Sequence, residues 1–272
     1  MTVTPYAAES TLPLADGEIH VCQDGPADAP GVLLIHGTAA SARSWEPMLP
    51  LLTGSHRVIR VDLLGCGRSS TPDGASYTVE DQTRRVAEAL DLLGVESVVA
   101  VGHSSGSAVA TALAERRPDL VTGIVVINFG PDMAAYTEKT AAIDPARWPH
   151  FTDDQLREAV RSGFAPGYRI PDDFLEQVRA MNLLVFGATT VGVRAYLDES
   201  GLVERLTALA QPLLVIFGAE DLRWSPSAAA EYRRVPGATV EMLAGLGHSP
   251  NLENPRRTAA PLLAFTRSLA AR

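Results

Sequence analysis

Apolar residues in this chain fall into two patterns. Short unbroken runs rich in Val, Ile and Leu occur at Gly31–Ile35, 58–61, 98–101, 124–127 and 213–217. Such runs predict strands buried on both faces of a sheet. Residues 18–23 predict an early edge strand, and Thr239–Leu243 a last one. Between the runs, apolar residues recur at helical spacing. The stretch 79–93 places Val79, Val86, Leu90 and Leu93 on one face, with Gly94 as a C-terminal stop. Helices are also predicted over 105–117, ending before Pro118, over 228–234 and over Pro255–Ala270. The alternation argues for a mostly parallel sheet covered on both faces.

Residues 131–210 break this rhythm. They hold no run of buried-strand type, and helices are predicted at 153–162, from 171 to 181 or beyond, and near 192–197. The expected organisation is a core of residues 1–130 and 211–272 with a helical cap at 131–210. A chain of 272 residues that is 46% hydrophobic suits one large α/β domain with such an insertion.

Charge and cysteine content narrow the function classes. The formal net charge is -9, and no basic run exceeds the pairs Arg84-Arg85, Arg116-Arg117, Arg233-Arg234 and Arg256-Arg257. That pattern argues against a nucleic-acid partner. Lys139 is the sole lysine. Cys22 and Cys66 lie in unrelated segments, which gives neither a disulfide framework nor metal-ligand spacing. Residues 1–14 carry no basic start and no apolar core of a secretory signal, and no run approaches the ~18 apolar residues of a membrane helix. The expectation is a soluble cytoplasmic protein without a membrane or metal partner.

The candidate chemistry begins where the 98–101 run meets the next helix, at Gly102-His103-Ser104-Ser105-Gly106. This is G-x-S-x-G on a strand-to-helix turn. A serine there is forced into a strained backbone, and its flanking positions must be small. The strain presents the Ser104 hydroxyl above the sheet edge. A serine hydroxyl stays protonated at neutral pH, so it needs a base, an orienter for the base and donors for the oxyanion. His248, in a Gly- and Pro-marked loop after the last strand, is the candidate base. His20 and His56 read as surface or strand-edge residues, His36 as a loop-holding residue, and His103 as pointing away from its neighbour Ser104. Asp221, after the 213–217 run, is the candidate orienter. Glu220 is its neighbour and rival, and the alternative position after 124–127 is Asn128, which carries no charge. The backbone N–H groups of Thr38 and Ser105 are the candidate oxyanion donors. The Thr38 and Ser41 hydroxyls can instead cap the following helix.

With these residues in place the chain resembles the α/β-hydrolase superfamily. The resemblance is carried by His36-Gly37, by Asp62-Leu-Leu-Gly-Cys-Gly-Arg-Ser69, by the Gly102–Gly106 elbow, by Gly218-x-x-Asp221 and by Gly247-His248, in the order Ser, Asp, His. It covers roughly residue 21 to the C-terminus. It implies the α/β-hydrolase fold, with an eight-stranded, mainly parallel sheet, helices on both faces and the cap between strands six and seven. It also implies acyl transfer through an ester on Ser104 with no cofactor. The Gly65-Cys66-Gly67 turn looks like the start of a dinucleotide loop, but Ser70 stands where the third glycine belongs. Asp62 and Arg68 read instead as structural partners.

Within the superfamily, haloalkane dehalogenases and epoxide hydrolases carry aspartate at the elbow, and Ser104 argues against both. The cap aromatics Tyr136, Trp148, Phe151, Phe164, Tyr168, Phe174 and Phe186 suit either a cap core or a substrate wall. Trp224 and His150 are candidate pocket residues, and Arg223 a candidate anchor for an anion. The expected function is a serine hydrolase acting on a small carboxylic ester, lactone or thioester, with a small-molecule acyl substrate as its partner. Two alternatives share the scaffold. One is a natural-product tailoring enzyme that cyclises, eliminates or cleaves a C–C bond. The other is a ligand receptor with negligible turnover. Oligomeric state has no signature in the sequence.

Overall fold

A computed structural model describes residues 7–138 and 146–270; Lys139 and the first six residues of the 1–14 stretch lie outside them. Among the described residues eight strands form one sheet: β1 (Ala7–Leu14), β2 (Gly17–Asp24), β3 (Gly31–Ile35), β4 (Arg57–Asp62), β5 (Val98–His103), β6 (Val121–Ile127), β7 (Leu213–Gly218) and β8 (Thr239–Leu243). Their spatial order is β1-β2-β4-β3-β5-β6-β7-β8. Only β2 runs against the others, pairing antiparallel with β1 and β4. The 18–23 segment therefore sits second from the edge and not at it. The true edge, β1, pairs with β2 in full register from Ala7↔Asp24 to Leu14↔Gly17. Its sequence lacks the continuous apolar run that marks the central strands.

Successive residues of each central strand face opposite sides. Leu33, Ile35, Ala100 and Val126 join one apolar cluster, and Val32, Leu34, Val101 and Ile127 the other. The α-helices are α1 (Leu49–Leu52), α2 (Val79–Leu92), α3 (Gly106–Arg116), α4 (Asp153–Ala159), α5 (Asp172–Arg179), α6 (Leu183–Glu199), α7 (Leu202–Leu209), α8 (Pro250–Glu253) and α9 (Pro255–Ala270). Helix α2 starts as its sequence dictates. Thr78 accepts the Asp81 N–H, and Glu80 and Asp81 complement the helix dipole. Gly94, with φ +62°, stands just beyond its end. The predicted helix at 228–234 is instead a 3-10 turn over Pro226–Arg234.

Helices α4 to α7 lie between β6 and β7. Trp148, Leu156, Phe164, Ile170, Leu175 and Val178 give part of this segment a small apolar core of its own. Phe164 packs edge-on against Phe174 and stacks on Tyr168, so these aromatics contribute to that core. Among the described residues no single helix is long and apolar enough to cross a membrane. Both cysteines are free.

Candidate active site

The elbow has the geometry that its sequence demands. Ser104 adopts φ +51°, a left-handed conformation that serine rarely takes. The turn is held by Ser104 N–H donating to the Ile127 carbonyl and by Ser107 Oγ donating to the Gly102 carbonyl, both at 2.8 Å. A Cβ on Gly102 would approach the Gly106 carbonyl oxygen to 2.3 Å, and one on Gly106 would approach the Ile35 carbonyl oxygen to 2.4 Å. Neither contact is tolerable, so both positions require glycine.

Asp221 and His248 meet in the structure. His248 is buried and its Nδ1 lies 2.9 Å from Asp221 Oδ2. With Asp221 ionised, Nδ1 carries the proton and Nε2 is left as the acceptor. Nε2 is buried and has no hydrogen-bond partner among the described residues. Ser104 and His248 line one small cavity of about 40 Å³, together with His103, Phe164, Phe174 and Arg223. The hydroxyl and Nε2 do not hydrogen-bond each other in this structure. Catalytic contacts of this kind commonly tighten only around substrate. Burial works to raise the pKa of Asp221, but the facing imidazole and the hydrogen bonds from His248, Asn128 and the Arg223 N–H hold it below the ordinary carboxylate value.

Asn128 carries no charge, yet it is central here. Its Nδ2 donates to Asp221 Oδ2 at 2.8 Å and to the Gly247 carbonyl at 3.1 Å, while its Oδ1 accepts the Gly218 N–H at 3.1 Å. Its backbone sits at φ +48°. One amide thus ties β6 to both the acid loop and the histidine loop. The available signal was its position just after the strand beside the elbow.

The proposed oxyanion donors come together in an unexpected way. Thr38 N–H donates to Ser105 Oγ at 2.7 Å, and Thr38 Oγ1 donates to the same oxygen at 2.7 Å. The Thr38 amide is therefore occupied by the Ser105 side chain. Nor does the Thr38 hydroxyl cap a helix; Ser41 alone caps the 3-10 turn that follows, accepting the Arg43 N–H. A larger cavity of about 500 Å³ borders Thr38 and Ser105 and is walled by Leu63, Gly65, Cys66, Met181, Val185 and Phe186 among others.

Several further expectations resolve. Trp224 is buried against Phe129 and Tyr136, with ring centroids 4.9 Å away in each case, and lines neither cavity. His150 is exposed and lines neither cavity. Arg223 borders the small cavity, but its guanidinium is held by Glu138 and Ser162. His20 and His56 are buried, contrary to the surface reading. His36 holds its loop: Leu63 N–H donates to Nε2 at 3.0 Å, so Nδ1 carries the proton and donates to the Gly37 carbonyl. His103 lies beside His248, its Nε2 donating to the His248 carbonyl at 2.8 Å. Burial, with the neighbouring His248 charge, pushes its pKa down to about 3, so it stays neutral. Asp62 accepts the N–H groups of Ala42 and Arg68 and fastens the Gly65–Gly67 turn, whereas the Arg68 side chain pairs with Glu9.

A sheet of this order with a strained elbow serine near an Asp–His pair defines an α/β hydrolase. The alpha/beta hydrolase family model matches residues 32–260, and the chain belongs to that family. It is an enzyme of the hydrolase class. It is similar to the carboxylesterase YbfK of Bacillus subtilis (strain 168), 25% identical over 262 residues, 92% of this chain and 84% of that protein. Among solved structures it is similar to a hydrolase from Pseudomonas aeruginosa PA01, with TM-score 0.77 and 26% identity, covering 95% of this chain and 98% of that one. It also resembles the haloalkane dehalogenase DbeA from Bradyrhizobium elkani USDA94, with TM-score 0.79 and 23% identity over 98% of this chain and 99% of that one. The last likeness shows the fold alone.

Proposed function

We propose that this protein is a serine hydrolase that cleaves a small carboxylic ester, lactone or thioester through an acyl-enzyme on Ser104. The observation that supports this reading best is the unpartnered Nε2 of His248, buried in the cavity that Ser104 lines, with Nδ1 fixed on Asp221. A lone pair kept free of protein donors beside a strained serine is suited to take that serine's proton. The similarity to a carboxylesterase supports an ester substrate, and Ser104 supports acyl chemistry over dehalogenation.

In this mechanism Ser104 Oγ attacks the carbonyl carbon as its proton passes to His248 Nε2. The developing oxyanion is held by the Ser105 and Thr38 N–H groups, the latter once the carbonyl oxygen has displaced Ser105 Oγ. Two such donors lower the barrier by several kcal/mol. His248 then protonates the leaving group, and water activated by the same imidazole releases the acid. Asp221 keeps the imidazole in the required tautomer throughout. The helical segment at 131–210 acts as a cap over the site.

The test is labelling with a fluorophosphonate followed by mass spectrometry, alongside steady-state release of acid from p-nitrophenyl and thioester substrates. Labelling at Ser104 with sustained turnover is expected. Labelling elsewhere removes the mechanism, and a single burst without turnover turns the reading towards a receptor.

A further inference from the structure

The loop that carries His248 is held from one point. Glu253, the last residue of α8, turns its half-buried carboxylate back on the loop. Oε2 accepts the Gly247 N–H at 2.8 Å and the Ala165 N–H at 3.2 Å, and Oε1 accepts the Ser249 N–H at 3.1 Å. The two loop donors are the residues immediately before and after His248. The third belongs to the segment between β6 and β7. The Glu253 N–H in turn donates to the Ser249 carbonyl at 2.9 Å, so the turn is closed in both directions. Gly247 has no room for a side chain, since a Cβ there would lie 2.2 Å from Ala165 N.

We propose that Glu253 is a positioning residue for the base, fixing the His248 loop against the 131–210 segment and placing a negative charge close to the imidazole. The inference rests on the His248 role proposed above. A carboxylate spanning three amide donors does two things. It satisfies buried N–H groups that would otherwise be costly. It also locks the backbone on both sides of one side chain, which catalysis needs to sub-ångström precision. Nothing else among the described residues accepts these three donors. The charged and titratable groups facing the loop are Asp221 and Arg223 after β7, His103 at the end of β5, Glu138 and Tyr168 from the segment between β6 and β7, and Arg257 of α9, which donates to the Ala244 carbonyl at 2.8 Å. Glu253 is the one bonded to the loop backbone on both sides of His248.

The test compares Glu253→Gln and Glu253→Ala with the wild type, each normalised by fluorophosphonate titration of Ser104 so that misfolded protein does not count. Gln keeps the shape but loses the charge, and its NH₂ must face at least one N–H donor. Glu253→Gln is expected to lower kcat about tenfold with KM within about threefold, and to move the acid limb of the pH–rate profile to lower pH, because a charge that favours the protonated imidazole is gone. Glu253→Ala is expected to lose more of both. A Glu253→Gln enzyme that melts earlier yet keeps the wild-type kcat per labelled site and the same acid limb overturns the inference, since that is what a purely structural carboxylate would do. A wild type that is not labelled at Ser104 removes the base reading and this inference together; a labelled wild type with an unaffected variant removes this inference alone.

Discussion

Asn128 and His248 donate to the same oxygen of Asp221, at 2.8 and 2.9 Å, while the other oxygen takes the Arg223 and Trp224 N–H groups at 2.7 and 3.2 Å. The carboxylate is thus bound on four sides and can present only one geometry to the imidazole. Asn128→Ala would leave Asp221 Oδ2 with one donor fewer, and would strip the Gly218 N–H and the Gly247 carbonyl of a partner inside the protein. Each buried unsatisfied group costs about 1–3 kcal/mol. The variant is expected to lose ~10–100-fold in kcat and to melt several degrees lower. Paired kinetics and thermal melts check this; a variant unchanged in both would remove Asn128 from the site.

Ser104 and Ser105 are adjacent but differ in what they face. Ser104 carries the strained φ and lines the cavity that holds His248, whereas Ser105 Oγ is occupied by two Thr38 donors. Ser104→Ala is therefore expected to cut turnover by ~10³-fold or more and to abolish fluorophosphonate labelling. Ser105→Ala keeps the backbone N–H and is expected to remain labelled at Ser104. Peptide mapping of the two variants decides between the hydroxyls, and labelling lost in Ser105→Ala but kept in Ser104→Ala would reverse the assignment.

The parts of the site legible in the sequence were those whose chemistry forces a local pattern. The elbow needs glycines at 102 and 106 because a Cβ at either meets backbone. His248 and Asp221 stand in loops just after strands, where a sheet presents side chains to one edge. Asn128 and Ser105 Oγ were not legible, because each acts through a partner far away in the chain: Asn128 reaches Asp221 across 93 positions and Ser105 reaches Thr38 across 67. Glu253 bonds the nearby Gly247 and Ser249 N–H groups, but a lone acid six positions after a glycine carries no pattern that marks such backbone contacts. Strand β1 was missed because an edge strand with one exposed face has no continuous apolar run. Trp224 shows the opposite error. An aromatic near the acid suggested a pocket wall, but Gly130 leaves a space, with Trp224 Cε3 only 2.2 Å from where a Cβ would stand, and the ring fills the core there.

His103 makes folding stability depend on pH. Burial and the nearby His248 charge lower its pKa from the ordinary 6.5 to about 3. Below pH ~6.5 the unfolded chain binds a proton at this position that the folded chain refuses until about pH 3, so stability falls as the pH drops through that window. The slope from this residue is at most one proton, ~1.4 kcal/mol per pH unit. Buried His36 and His56 are shifted in the same sense. Asp16, held at about 2 chiefly by its hydrogen bond from Arg85, adds a loss only below its ordinary 3.8. His103→Gln retains a donor for the His248 carbonyl. Urea unfolding of this variant between pH 4 and 7 is expected to show a pH dependence shallower by up to one proton. An identical slope would mean that His103 is not held neutral in the fold.

The 500 Å³ cavity sets the last expectation. It borders Thr38 and Ser105, the proposed oxyanion donors, but not His248. A substrate chain lying there would point away from the imidazole, and the leaving group must point towards it. The cavity is therefore expected to hold the acyl chain, with the small space beside His248 restricting the leaving group. Burying two methylenes is worth about 1.6 kcal/mol, more than tenfold in rate if expressed in the transition state. Ala180 lies on the rim of the large cavity. Ala180→Trp is expected to lower kcat/KM for an octanoate ester at least tenfold more than for the matching acetate ester. Equal effects on the two esters would show that the acyl chain lies elsewhere, and a larger effect on acetate would reverse the assignment of the two cavities.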